Sequence, residues 1–342
     1  AQMSFDPAAT VAIGKTGIAV TRLGFGTAPF GNLLQQASEP ALHRATAAAL
    51  GGGVRYFDTA PFYGHGLAEQ RTGETLRGVE RSRFVLSTKV GRLLKPNPQA
   101  KTEGPFAGIL PFDVVYDYSY DAAMRSFEDS LQRLGLASVD IALIHDINRR
   151  WQGDKLEQRY GEAMKGAYKA LAKLRSEGVV KAIGVGVNDI DILMRCTRDG
   201  DFDCFMLAGR YTLLDQTALP ELLPECARRG IGILLAGPYN SGILATGAQP
   251  GATFWYSEAP PEVMDRVRRI EAVCARHKVP LAAAALQFPL GHKALASVVA
   301  GLRSAEEVNQ ALSWMQLAIP SEFWRELRQE NLIDPAAPLP GG

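Results

Sequence analysis

Four residues able to move a proton at a carbonyl or hydroxyl carbon recur in the first half of the chain. Asp58 and Tyr63 lie in Tyr56-Phe57-Asp58-Thr59-Ala60-Pro61-Phe62-Tyr63-Gly64, Lys89 in Leu86-Ser87-Thr88-Lys89-Val90-Gly91, and His145 in Ile141-Ala142-Leu143-Ile144-His145-Asp146. Each stands at or just beyond the end of an apolar run, where a strand hands over to a loop in an α/β protein. A tyrosine, with a reference pKa of about 10, is a poor base near neutrality, but a nearby ammonium favours the phenolate and a carboxylate holds the ammonium in place. On this reading Lys89 tunes Tyr63, Asp58 orients Lys89, and a neutral His145 hydrogen-bonds the substrate oxygen. Taken singly, three of the four have plainer explanations: Asp58 caps a turn, Tyr63 packs as a half-buried aromatic, His145 is a satisfied structural histidine. Lys89 does not, because an unpaired buried lysine is costly.

The elements that must position these groups alternate regularly. Strands are expected at Leu23 to Thr27, Arg55 to Thr59, Phe84 to Lys89, Asp140 to His145, Ala182 to Val187, Cys204 to Ala208, Gly232 to Ala236 and Ser297 to Ala300. Between them, Pro40 to Leu50, Ser119 to Leu134, Tyr160 to Glu177 and Glu262 to His277 carry apolar residues at helical spacing. Eight strands alternating with helices imply an α/β fold, a parallel sheet closed into a (β/α)8 barrel of one domain over residues 1–342. Val11-Ala12-Ile13 and Ile18-Ala19-Val20 flank Gly14-Lys15-Thr16-Gly17, which suggests an N-terminal β-hairpin plugging one end of the barrel. An open doubly wound sheet would carry G-x-G-x-x-G after its first strand, and Gly24-Phe25-Gly26-Thr27-Ala28-Pro29 fails at the third glycine. Gly91 to Tyr118 and Gly237 to Pro261 are too long to be turns, and both follow strands, so both emerge on the C-terminal face. Neighbouring parallel strands lie about 4.8 Å apart, so the ends bearing Asp58, Lys89 and His145 converge on one volume.

Composition narrows the partners. Hydrophobic residues make up 46% and charged residues 21%, and the formal net charge of +1 gives no basic footprint for nucleic acid or an anionic membrane. Cys196, Cys204, Cys226 and Cys274 form no C-x-x-C and no cluster with histidine at metal-ligand spacing, so reduced, buried thiols and no metal are expected. Ala1 to Pro7 lacks a basic start followed by an apolar core, and no apolar run approaches the roughly 18 residues of a membrane span. A cytoplasmic protein, monomeric or homodimeric, acting on a small molecule is the expectation.

Phe57-Asp58-Thr59-Ala60, Tyr63-Gly64-x-Gly66, Glu69-x-x-x-Gly73, Ser87-Thr88-Lys89 and the strand ending at His145 resemble the aldo-keto reductase superfamily in order and spacing, over nearly the whole chain. The resemblance implies that Asp58, Tyr63, Lys89 and His145 form a catalytic tetrad, and that an extended nicotinamide dinucleotide supplies or receives the hydride. It further implies cofactor contacts from Gly26, Thr27 and Asp58, and from Asn188 in Gly184-Val185-Gly186-Val187-Asn188, one residue longer than the usual Gly-Val-Ser-Asn. Ala208-Gly209-Arg210-Tyr211 lacks the usual glutamine. Ala236-Gly237-Pro238-Tyr239 has Ala236 where many members stack a tyrosine on the nicotinamide, with Pro238 and Tyr239 beside it.

Val299 to Asn309 resembles the adenosine-phosphate site of the family. NADP-preferring members place a basic residue just after the eighth strand and an arginine early in the helix; here those positions read Gly301 and Glu307. A carboxylate repels a 2′-phosphate and accepts from a ribose hydroxyl, so NAD is expected over NADP, with Arg303 as the opposing feature. Tyr116 to Asp121 and Ala252 to Tyr256 are similar to sugar 1-dehydrogenases of the D-threo-aldose or L-fucose type and to pyridoxal 4-dehydrogenase, which oxidise a cyclic hemiacetal to a lactone. Phe106, Phe112 and Tyr116 are then candidate walls of the substrate pocket. The expected function is NAD(P)-dependent oxidation of a small aldose at C1; alternatives are a general aldehyde or ketone reductase, a pyridoxal 4-dehydrogenase, or a dinucleotide-binding regulatory subunit like the potassium-channel β-subunits that resemble the family.

Overall fold

The computed structural model describes residues 2–341. Eight strands form the barrel: β1 Leu23–Gly26, β2 Tyr56–Asp58, β3 Val85–Val90, β4 Ile141–His145, β5 Ala182–Val187, β6 Cys204–Ala208, β7 Gly232–Ala236 and β8 Leu295–Gly301. Each pairs in parallel with its sequence neighbours, and β8 pairs with β1 to close the ring. The strands are almost wholly buried because helices cover one face and the barrel interior the other, and their near-continuous apolar runs suit both.

Helices follow each strand, among them α1 Glu39–Gly51, α2 Leu67–Leu76, α3 Tyr120–Leu134, α4 Leu156–Lys165 and α5 Ala167–Ser176. Ser38 and Ser119 start α1 and α3 by accepting the backbone N–H of Ala41 and Ala122, and Gly135 ends α3 in the left-handed region. The helix expected over Tyr160 to Glu177 is two. It breaks at Gly166, where a Cβ would come within 2.7 Å of the Tyr120 nitrogen; the chain there passes the start of α3, and Ala167 N–H bonds the Tyr118 carbonyl instead of continuing the helix.

The N-terminal hairpin pairs Thr10–Ala12 with Ala19–Thr21. Ile13 and Val20 join Ile141, Ala182, Cys204 and Ala296 from the strand beginnings in one cluster, so the hairpin closes the N-terminal end of the barrel. The opposite end stays open. There the connection after β3 is not irregular: Arg92–Pro96 and Phe112–Tyr116 form an antiparallel arm. The connection after β7 carries a smaller one, Thr253–Phe254 with Ser257–Glu258. Among the described residues no helix is long and apolar enough to cross a membrane.

Candidate active site

Parallel register sets the first three side chains. Asp58 ends β2 opposite Ser87 of β3, Lys89 lies two residues further along β3, and His145 ends β4. Tyr63 arrives from the turn after β2, which packs so closely on the chain after β1 that a Cβ on Gly31 would fall 2.5 Å from the Tyr63 carbonyl carbon.

The four groups meet. Lys89 Nζ donates to Asp58 Oδ2 at 2.8 Å, Asp58 Oδ1 at 3.0 Å, the Thr59 carbonyl at 2.9 Å and the Tyr63 hydroxyl at 3.1 Å. Ser87 donates to Asp58 Oδ1 at 2.6 Å and is itself in contact with the Tyr56 hydroxyl. The buried ammonium therefore has a partner in every direction, which is what makes its burial tolerable. Burial alone would depress Lys89, but attraction to Asp58 and Tyr63 outweighs it and the ammonium is held above the ordinary lysine range. Burial pushes the Asp58 carboxyl up, with the Lys89 charge opposing.

Tyr63 departs from expectation. Burial pushes its phenol up to about 12, and Lys89 opposes that without overcoming it. At neutral pH the group is a phenol, ready to donate. His145 lies edge-on to it, ring centroids 6.1 Å apart, and is held neutral well below the usual imidazole range by burial and by the charges of Arg92 and Lys89.

These groups sit at the end of a cavity of about 460 Å³ on the C-terminal face. Asp58, Tyr63, Lys89, His145, Gly26, Asn188, Ala236, Pro238, Tyr239 and Gly301 all line it. Thr27 does not; its buried hydroxyl and N–H both bond the Asp58 carbonyl, fixing the end of β2. Arg303 and Glu307 also lie outside the lining. Glu307 accepts the Arg303 N–H while Ser304 accepts the Glu307 N–H, a reciprocal cap on the helix Ala305–Gln316 that gives Glu307 a structural task beside any ribose contact. Arg303 donates to the Leu33 carbonyl.

The lining fits a nicotinamide dinucleotide on two observations. Asn188 Oδ1 accepts from Asn148, which leaves its amide N–H groups as the available donors for a carboxamide oxygen. Small residues, Gly186, Ala208, Gly209, Ala236, Gly237 and Gly301, recur in the lining at strand ends β5 to β8 between the bulkier Val187, Met206, Tyr239 and Val299, leaving room for a flat ring. When bound, the nicotinamide would supply the hydride acceptor or donor.

Of the expected substrate walls, Phe106 lines the cavity, whereas Phe112 and Tyr116 do not. Trp255, from the loop expected on the C-terminal face, lines it too; Phe62, Trp151, Asp146 and Arg150 line it and were not foreseen from sequence. Arg92, also unforeseen, is 2% exposed: it pairs with Asp146 at 2.8 Å and contacts His145 Nδ1 at 3.1 Å, its guanidinium 3.9 Å from the Phe62 ring centroid. The available signal was Asp146 itself, a carboxylate at a buried strand end that requires a cation.

Residues 22–331 match the aldo/keto reductase family model. Pyridoxal 4-dehydrogenase of Microbacterium luteolum is 42% identical over 94% of this chain and 97% of its own, and D-threo-aldose 1-dehydrogenase of a Pseudomonas species is 41% identical over 96% and 98%. The holo form of aldo-keto reductase AKR11C1 from Bacillus halodurans superposes with a TM-score of 0.74 over 96% of this chain and 97% of that one, at 24% identity, and so shares the fold. A closed (β/α)8 barrel, a family match spanning nearly all of it, and dehydrogenase relatives above 40% identity place the chain in the aldo/keto reductase family, as an oxidoreductase.

Proposed function

We propose that the chain oxidises a small aldose, as its cyclic hemiacetal, at C1 to the lactone, with NAD as hydride acceptor. The observation that carries this reading is the Lys89–Tyr63 contact of 3.1 Å at the floor of a cavity that also presents His145 and Asn188. In that arrangement Tyr63 exchanges a proton with the substrate hydroxyl, Lys89 stabilises the phenolate, Asp58 keeps Lys89 charged and in place, and His145 aligns the substrate oxygen. The similarity to D-threo-aldose 1-dehydrogenase supports the choice of an aldose.

NAD is preferred over NADP because Gly301 offers no charge and Glu307 would repel a 2′-phosphate; Arg303 donates to the Leu33 carbonyl through Nη2, and its Nη1, without a partner among the described residues, is the opposing feature.

Pyridoxal is the second substrate reading. Phe62, Phe106, Trp151 and Trp255 give the cavity aromatic walls suited to a pyridine ring, and pyridoxal 4-dehydrogenase is a relative at 42% identity against 41% for the aldose enzyme. The deciding measurement is a panel of aldoses, pyridoxal and simple aldehydes with NAD and NADP, scored in both directions by nicotinamide absorbance. Highest kcat/KM for an aldose with NAD is expected. A pyridoxal or NADP preference would replace that part of the reading, and cofactor binding without any turnover would replace it with a regulatory subunit.

A further inference from the structure

Arg92 does more than neutralise Asp146. It opens the arm Arg92–Pro96 immediately after β3, across from Tyr116 at the arm's other end, and Gly91 before it has φ +123° with the Tyr118 ring where a Cβ would stand. The guanidinium is held through its two terminal nitrogens and by rings on its faces, while its buried Nε has no partner among the described residues. Nη2 lies 2.8 Å from Asp146 Oδ2 and 3.1 Å from the Tyr116 hydroxyl, and the Phe62, Tyr116 and Trp151 ring centroids lie within 5.4 Å. Nη1 remains, and it is 3.1 Å from His145 Nδ1.

A guanidinium has only donors, so the ring nitrogen it meets must accept. The proton of a neutral His145 is therefore on Nε2, the nitrogen 3.4 Å from Asp146 Oδ2. Protonating Nδ1 would set two donors face to face beside a cation that does not deprotonate. Of the other groups around His145, Asp146 offers an acceptor on the Nε2 side and so favours the same form, whereas Lys89 and Tyr63 face it across the strand ends and Tyr118 donates to its backbone carbonyl at 2.5 Å; Arg92 is the group that meets Nδ1. We propose that Arg92 is a positioning residue that confines His145 to the neutral Nε2–H form, so that the imidazole meets the substrate oxygen only as a hydrogen-bond donor and never as an acid. The part concerning substrate rests on the dehydrogenase reading; the part concerning the tautomer does not.

The test is long-range 1H–15N spectroscopy of the 15N-histidine-labelled protein without cofactor or substrate, with His145→Gln assigning one signal among the five histidines. Expected is a His145 pattern of the neutral Nε2–H form, unchanged across the pH range in which the fold is stable. In Arg92→Met that signal should begin to titrate, moving toward the ordinary imidazole value of about 6.5, and the pH profile of kcat/KM should gain an ionisation that is absent from Arg92→Met/His145→Gln. If Arg92→Met does not fold because Asp146 is left unpaired, Arg92→Met/Asp146→Asn removes both charges and should still begin to titrate, at lower pH than the single variant because no carboxylate then faces Nε2. A wild-type His145 that titrates near 6.5 or carries its proton on Nδ1 overturns the proposal. So does a folded variant that loses only thermal stability while the His145 spectrum stays as in the wild type. Absence of turnover with every substrate would reject the dehydrogenase reading and leave the spectra interpretable.

Discussion

Lys89 Nζ lies 2.8 Å from Asp58 Oδ2, and the two side chains are 1% and 4% exposed. Removing one charge of such a pair leaves the other buried and unpaired, which costs about 3–5 kcal/mol. Asp58→Asn should therefore lower the unfolding free energy by an amount of that order in urea titration, and lower kcat as well, since Lys89 is no longer held against Tyr63. A loss of stability below about 1 kcal/mol would show that the pair contributes little to holding the fold.

Tyr63 is pushed up to about 12 by burial. The sign of its pH dependence follows. Carbonyl reduction needs the phenol, which is fully present at neutral pH, so kcat/KM in that direction should be flat from pH 6 to 9. Oxidation needs the phenolate, whose fraction rises tenfold per pH unit below the pKa, so oxidation should climb over the same range. Tyr63→Phe should lower kcat in both directions by ~10²-fold or more with cofactor affinity nearly unchanged. Near-normal turnover in that variant would take Tyr63 out of its proposed role.

His65 connects the turn that carries Tyr63 to the long arm after β3. Its Nε2 accepts from the Glu103 N–H at 3.1 Å, so Nδ1 carries the proton and donates to the Phe112 carbonyl at 2.7 Å. Replacing the ring removes both bonds, at roughly 1 kcal/mol net for each. His65→Ala should speed hydrogen exchange at Glu103 and its neighbours and raise KM more than it changes kcat, because Phe106 in that segment lines the cavity. Unchanged exchange at Glu103 would mean that the arm is held by its strand pairing and by its backbone bonds to Asn32, Leu34 and Gly64 without help from His65.

The barrel and the four converging groups are legible in the sequence because both depend on local order. Buried parallel strands read as apolar runs, and a polar residue that ends such a run must point at the open face, as Asp58, Lys89 and His145 do. For Arg92 only the need was legible: Asp146, just past a buried strand end, calls for a cation, but which one does not show, since Arg92 lies 53 residues from His145 and no periodicity links an arm to a strand end. Gly166 was not either: the helical spacing continues through it, and only the passage of Tyr118 to Tyr120 forces the break. For Tyr63 the pairing with Lys89 was readable, but the balance between that charge and burial was not, because it depends on how deeply the turn after β2 is packed.

That packing depends on Gly31. A Cβ there would stand 2.5 Å from the Tyr63 carbonyl carbon and 2.7 Å from the Gly64 nitrogen, both backbone atoms that cannot swing aside. Gly31→Ala must push the turn away from the chain after β1, and overpacking of this kind costs about 1–3 kcal/mol. The same shift moves the Tyr63 hydroxyl relative to Lys89 and the substrate oxygen, where a displacement of about 1 Å is worth ~10²-fold in rate. Gly51, at the end of α1, has open space where its Cβ would be, so Gly51→Ala serves as the matched control and should leave kcat unchanged while stability stays the same or rises by up to about 1 kcal/mol. If Gly31→Ala retains wild-type kcat while losing stability, the turn absorbs the added methyl without moving Tyr63, and the contact holds the fold but not the reacting geometry.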